Sequence, residues 1–153
     1  MTDEPRLQLD RFLPYRLSVL SKLVSSAIAG SYSARFGINI PEWRVMAVLA
    51  MQPDLSAAQV AERTAMDKVA VSRAVSSLLE KGRIERSVSP GDRRRSMLKL
   101  SSEGARIYAE VVPLALRHER SLLDVLDVAD REALERILDT LLGRARTLGD
   151  STD

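Results

Sequence analysis

Apolar positions along this chain repeat at two different periods. Residues 7–36 carry Leu13, Leu17, Leu20, Val24 and Ala27 at helical spacing, with Phe12, Val19 and Leu23 as a second stripe beside them. That apolar face is wider than one neighbouring element usually needs, and Gly37 ends the helix. Asn39 caps a second helix, with Glu42 at the capping-box position and Trp43, Met46, Val48 and Leu49 turned inward. A turn at Pro53 and Asp54 leads to two short helices in quick succession. Ser56 and Gln59 form a capping-box signature for the first, Asp67 is an N-cap for the second, and Gly82 stops it. Only Thr64, Ala65 and Met66 lie between them, about the length that sets two helices at a steep angle in a helix-turn-helix. The second of these helices, 67–79, is predicted to bury Val69, Val71, Ala74, Val75, Leu78 and Leu79. Lys68, Ala70, Ser72, Arg73, Ser76 and Ser77 remain to face outward.

After Gly82 the period becomes extended. A strand near 84–89 turns at Pro90, Gly91, Asp92 and Arg93 and returns near 95–101. Ser101 opens a further helix that runs through Pro113, where a bend is expected. Asp127 caps a last helix with Leu134, Ile137, Leu138, Leu141 and Leu142 as a broad stripe. The pattern predicts a mainly α fold with a small β wing: a winged helix-turn-helix with long N- and C-terminal helices. The expected organisation is one domain over 1–153, with a winged helix-turn-helix lobe at 39–104 and dimerisation helices at 7–36 and 105–148. The terminal helices carry more apolar surface than the lobe can cover. Burial against a second copy, a homodimer, is the simplest remedy.

Composition narrows the chemistry. Apolar residues make up 45% of the chain, enough for a core, and the single His118 and absence of cysteine exclude disulfides, thiol redox sensing and Cys/His zinc sites. The polar N-terminus and the lack of any bilayer-length apolar run predict a cytoplasmic protein with no membrane partner. Charge is unevenly spread. Over 81–99 seven basic residues stand against two acids, whereas over 121–153 four arginines stand against eight acids. One face is thus suited to a polyanion.

These residues together resemble the multiple antibiotic resistance regulator (MarR) family of bacterial repressors, over roughly 12–147. The sharpest likeness is Asp92-x-Arg94 followed by Leu100-Ser101-x-x-Gly104, where the family usually has Leu-Thr-x-x-Gly. The resemblance implies a dimer with interleaved first and last helices, a palindromic double-stranded operator, and in many members release of DNA by a small anionic or aromatic effector. No cofactor is implied.

The N-terminal residues of a recognition helix meet base edges in the major groove. Lys68 and Arg73 are therefore the candidates for guanine contacts, with Ser72 and Ser76 supporting at bases or phosphates. An ordinary amphipathic helix with a solvated polar side is the alternative. By resemblance Arg94 is the wing-tip arginine, expected in the adjacent minor groove and braced by Asp92, with Arg93 and Arg95 on phosphates. A solvated charge run is the alternative there. Effector candidates are Tyr15, Arg16, Tyr32, Arg35 and Trp43 from the helices bordering the family's cleft, and His118, with Arg117, from the helix that closes it. Core packing for Trp43, and seam or surface positions for Tyr15, Arg16 and His118, are the competing readings.

A protein-binding winged helix would show acids or apolar residues on the recognition helix and an uncharged wing. An enzyme would need a nucleophile–base pair, a glycine-rich phosphate loop or a metal cluster. None of these appears, and Asp130, Glu135 and Asp139 look like a solvated face.

Overall fold

The computed structural model describes residues 5–89 and 91–151, without the side chains of residues 88, 89 and 92–95. A single 3-10 turn, Leu9–Arg11, precedes α1 at Leu13–Phe36. The helix therefore starts later than position 7. Pro14 belongs in the first turn, where its missing N–H is no loss, and Phe12 stays extended ahead of it. Gly37 closes α1 in the left-handed conformation (φ 62°), its N–H donating to the Ser33 carbonyl at 2.9 Å.

In α2, Ile40–Met51, the Glu42 N–H donates to Asn39 Oδ1 at 2.9 Å. The capping box expected there is not closed, because the Glu42 carboxylate is engaged by Ser77 and Lys81 instead. Ser56 and Gln59 do form the reciprocal box at the start of α3, Ala57–Thr64. Ala65 takes left-handed geometry (φ 53°) in the turn, and Asp67 Oδ1 accepts the Ala70 N–H at 2.8 Å to start α4, Lys68–Glu80. Gly82, also left-handed, ends it.

Strands β1 (Ile84–Ser89) and β2 (Asp92–Leu100) pair antiparallel, from Ile84 opposite Leu100 to Val88 opposite Ser96. The next pair is Ser89 with Asp92, so residues 93–95 fall between successive pairs as a large bulge. Asp92 and Arg93 thus belong to β2 rather than to the turn, where Gly91 remains; Pro90 lies outside the described residues. Leu98 also exchanges backbone hydrogen bonds with Leu55 at 2.8 and 3.3 Å, tying the hairpin to the segment before α3.

Ser101 caps α5, Ser102–Leu123, accepting the Gly104 N–H at 3.0 Å while its own hydroxyl donates to the Gly82 carbonyl at 2.6 Å. α5 continues as one helix through Pro113. Asp127 caps α6, Val128–Asp150, where Arg131 Nε donates to the Leu123 and Leu126 carbonyls. The chain divides into two compact units at Leu116 and Arg117, inside α5.

The core of the first unit gathers Ile38, Val45, Met46 and Leu49 with Val60, Val71, Ala74, Val75 and Leu78, closed by Ile84, Leu98, Ile107 and Val111. Each fully buried side chain of this kind contributes about 1.5–3 kcal/mol. One expected core residue is outside it: Val69 is 59% exposed. Successive helical residues turn by about 100°, so Val69 cannot share a face with Val71 and Leu78. Ser77, expected outside, is half-buried against Glu42. No helix among the described residues is long and apolar enough to cross a membrane.

Candidate nucleic-acid interface

Helix α4 has a sharp division of faces. Val71, Ala74, Val75 and Leu78 are buried, while Lys68, Ser72, Arg73 and Ser76 are exposed on the other side. The two cations and two hydroxyls read from the sequence therefore share one surface. A groove of about 290 Å³ runs beside them, floored on the α3 side by Ala57, Ala58 and Ala61 and edged by Lys68, Ser72, Ser76 and Arg86. Three alanines keep this wall low, which lets a rigid rod approach closely. Arg86 was not singled out from the sequence as a contact residue. Its signal is parity: in β1 it lies two residues from buried Ile84 and so shares the side facing α4.

The wing supplies the backbone for the remaining predicted contacts. Asp92, Arg93, Arg94 and Arg95 open β2, and their side chains lie outside the described ones. On the described part of the hairpin, Lys99 and Glu85 pair across the strands at 3.9 Å.

Charged hydrogen bonds hold α4 in place at its C-terminal end. Lys81 Nζ donates to the Gly37 carbonyl at 2.8 Å and to Glu42 Oε2 at 3.1 Å, and Ser77 Oγ donates to Glu42 Oε1 at 3.3 Å. Arg83 Nη1 donates to the Phe36 carbonyl at 2.7 Å. Carbonyls at the end of a helix lack internal partners and carry its negative pole, so these cations are well placed there. A Cβ on Gly104 would lie 1.9 Å from the Arg83 carbonyl oxygen, so only glycine lets α5 start against this junction. The end of α1, the end of α4 and the start of α5 are thus fixed to each other.

Comparison with known proteins agrees with this geometry. A family model described as MarR family matches residues 36–95, from the last residue of α1 into the wing. The crystal structure of a MarR/EmrR family transcriptional regulator from Acinetobacter sp. ADP1 superposes with a TM-score of 0.83 at 28% identity, covering 92% of this chain and 99% of that one. Residues 36–95 match the MarR family, and the fold as a whole is that of a MarR-type transcriptional regulator. A putative transcriptional regulatory protein for the hcr operon of Thauera aromatica is 30% identical over 105 residues, 69% of this chain. The match spans 63% of that curated relative's length. BpsR of Bordetella bronchiseptica, whose DNA binding is regulated by 6-hydroxynicotinic acid, shares the fold at a TM-score of 0.78 and 20% identity, with 90% of this chain and 97% of that one covered.

Of the residues expected to line a MarR-type effector cleft, the first compact unit brings Tyr32 and Trp43 together and holds Tyr15 and Arg16 apart from them. Tyr32 is a core residue, 1% exposed, with its ring 5.6 Å from that of Trp43, which in turn stacks on Tyr108 at 5.4 Å. Burial pushes the Tyr32 phenol up to about 12, against the opposing pull of the Arg44 charge. Arg35 lies over the Phe36 ring and donates to Glu110 at 2.7 Å, leaving that guanidinium paired. Tyr15 and Arg16 are exposed near the other end of α1. Seventeen residues separate Tyr15 from Tyr32, roughly 25 Å along the helix. His118 is half-buried in the second compact unit.

Sequence reasoning missed a different site on the same helix. An open cleft of about 570 Å³ is lined by Ser18, Ser21, Lys22 and Ser25 of α1 and by Ile40 and Arg44 of α2. Arg44 Nη2 donates to Ser25 Oγ at 3.3 Å. The signal available in the sequence was Ser18, Lys22 and Ser25, which repeat at helical spacing beside the apolar stripe.

Proposed function

We propose that this chain is a homodimeric repressor that binds a palindromic double-stranded operator in the bacterial cytoplasm and releases it when a small anionic or aromatic effector binds. The observation that carries this reading is the exposed face of α4, where Lys68, Ser72, Arg73 and Ser76 stand beside the low alanine wall of α3 and Arg86 of β1. Lys68 and Arg73 read guanines from the major groove, Ser72 and Ser76 support at bases or phosphates, and Arg86 joins them at the backbone. The wing carries Arg94 to the minor groove with Asp92 bracing it, while Arg93 and Arg95 neutralise phosphates.

Two features support the assembly. Leu13, Leu17, Leu20 and Leu23 on α1 are each about half exposed or more, and so are Ile137 and Leu142 on α6. Apolar surface on this scale marks an interface, and a two-fold axis makes two recognition helices address an inverted repeat. The effector reading is supported by the cleft between α1 and α2, whose Lys22 and Arg44 make no ion pair among the described residues and suit a carboxylate.

Selection of duplexes from a random library by the full-length chain tests the function. The expected product is an inverted repeat with half-sites about one helical turn apart. Enrichment of single, unpaired half-sites would overturn the dimeric reading, and no enrichment at all would overturn DNA binding.

A further inference from the structure

We infer that Val69 reads the C5 methyl group of an operator thymine. The inference rests on α4 being the recognition helix and names what one of its positions recognises. Among the residues of α4, Val69 is the large apolar side chain left exposed, at 59%. Its place is not peripheral. At about 100° per residue, Val69 points directly away from Leu78 and the core, along the midline of the exposed face. Ser76 and Arg73 lie within about 40° of the same direction, and Lys68 and Ser72 flank it at wider angles. Val69 is also the second residue of the helix, in the turn that enters the groove most deeply.

A lone exposed valine elsewhere on a protein would need no explanation. Here it stands in the middle of a surface of cations and hydroxyls, where an anionic rod is the complementary partner. In the major groove, thymine is the base that offers an apolar group, its C5 methyl, among polar edges. Valine suits that contact, because β-branching holds its two methyls in one strongly preferred rotamer on a helix. Arg73 lies four residues further on, about 6 Å along the axis, which spans one to two base-pair steps. The thymine should therefore lie within two base pairs of a contacted guanine. Glu80, the acid along the same line, is eleven residues away, roughly 16 Å down the axis, and so clear of this contact.

The test uses the full-length chain and a duplex it has enriched from a random library. Each thymine is replaced in turn by deoxyuridine, which lacks only the C5 methyl. The parent should lose affinity about fourfold at one thymine per half-site, the effect of withdrawing one methyl from contact, and should be indifferent elsewhere. Val69→Ala should bind the unmodified duplex about fourfold more weakly and should no longer distinguish thymine from deoxyuridine at that position. The substitution leaves the core untouched, so its thermal melting should match the parent's. A parent indifferent to deoxyuridine at every position overturns the inference, as does a Val69→Ala protein with the parental thymine-to-deoxyuridine ratio. A parent that enriches no duplex instead overturns the reading of α4 as the DNA-reading helix.

Discussion

The central lobe and the terminal helices solve the burial problem in opposite ways. In the lobe, α2, α3, α4 and the hairpin turn their apolar residues onto one another, and Val45, Met46, Val60 and Leu78 are sealed from water within a single chain. The N-terminal half of α1 has no buried residue at all, and α6 has none over its whole length. With Tyr32 of α1 and Ile107 and Val111 of α5 added, the lobe is complete within one chain, while the N-terminal half of α1 and all of α6 keep their apolar residues partly or fully exposed. A unit that reads a ligand gains from internal rigidity. In the proposed dimer, a unit that sets the spacing between two readers keeps its apolar residues for the partner.

That contrast can be broken from either side. Leu20→Glu places a charge in the exposed stripe of α1, where it should abolish the dimer. Light scattering should report half the parental mass, with the helical circular dichroism of the lobe retained. Unchanged mass would assign the stripe to something other than self-association. Leu78→Ala works on the lobe instead. It empties a fully buried position, so denaturant unfolding should show a loss of about 2–5 kcal/mol.

Tyr32 gives the lobe a pH limit. Its folded pKa of about 12 lies above the ordinary value of 10.0. Between those values the folded state keeps a proton that the unfolded chain has released. The stability it contributes is fully present below about pH 10 and is lost as pH rises through about 12, a decline of roughly 3 kcal/mol. Denaturant titrations in steps across that window, with Tyr32→Phe as the comparison, should show the slope in the parent and a shallower one in the variant. The smallest effect is expected at the start of α4. Asp67→Ala removes the cap on the Ala70 N–H and should lower stability by about 1 kcal/mol.

Much of the lobe was legible because its helix ends are written in local chemistry. Ser56 with Gln59, Asp67, Gly82 and Ser101, and likewise Asp127 at the start of α6, each act within three or four residues, and each does in the structure what its residue type suggests. What was not legible depends on neighbours distant in sequence. Glu42 reads as a capping-box partner, yet Lys81 and Ser77 capture its carboxylate from 39 and 35 residues away. The backbone exchange between Leu55 and Leu98 has no sequence signature, and neither does the close approach that makes Gly104 obligatory. Val69 differs for another reason: in a short helix crowded with valines, hydrophobicity points inward where the 100° turn per residue points out. The effector candidates Tyr15, Arg16, Tyr32 and Arg35 are tyrosines and arginines of one long helix. Helical rise alone then spreads them over a distance that a small molecule does not span.

The central claim is that the exposed face of α4 binds duplex DNA. Its most direct test is the affinity for the selected operator, measured against salt concentration, for the parent and for a Lys68→Ala, Arg73→Ala double variant. For the parent, the logarithm of affinity should fall linearly and steeply with the logarithm of salt, as cations displace counterions from phosphates. The double variant should bind at least tenfold more weakly, since a side chain that reads guanine is worth roughly 1–3 kcal/mol, with its fold unchanged. Equal affinities and equal slopes for the two proteins would contradict the assignment of this face.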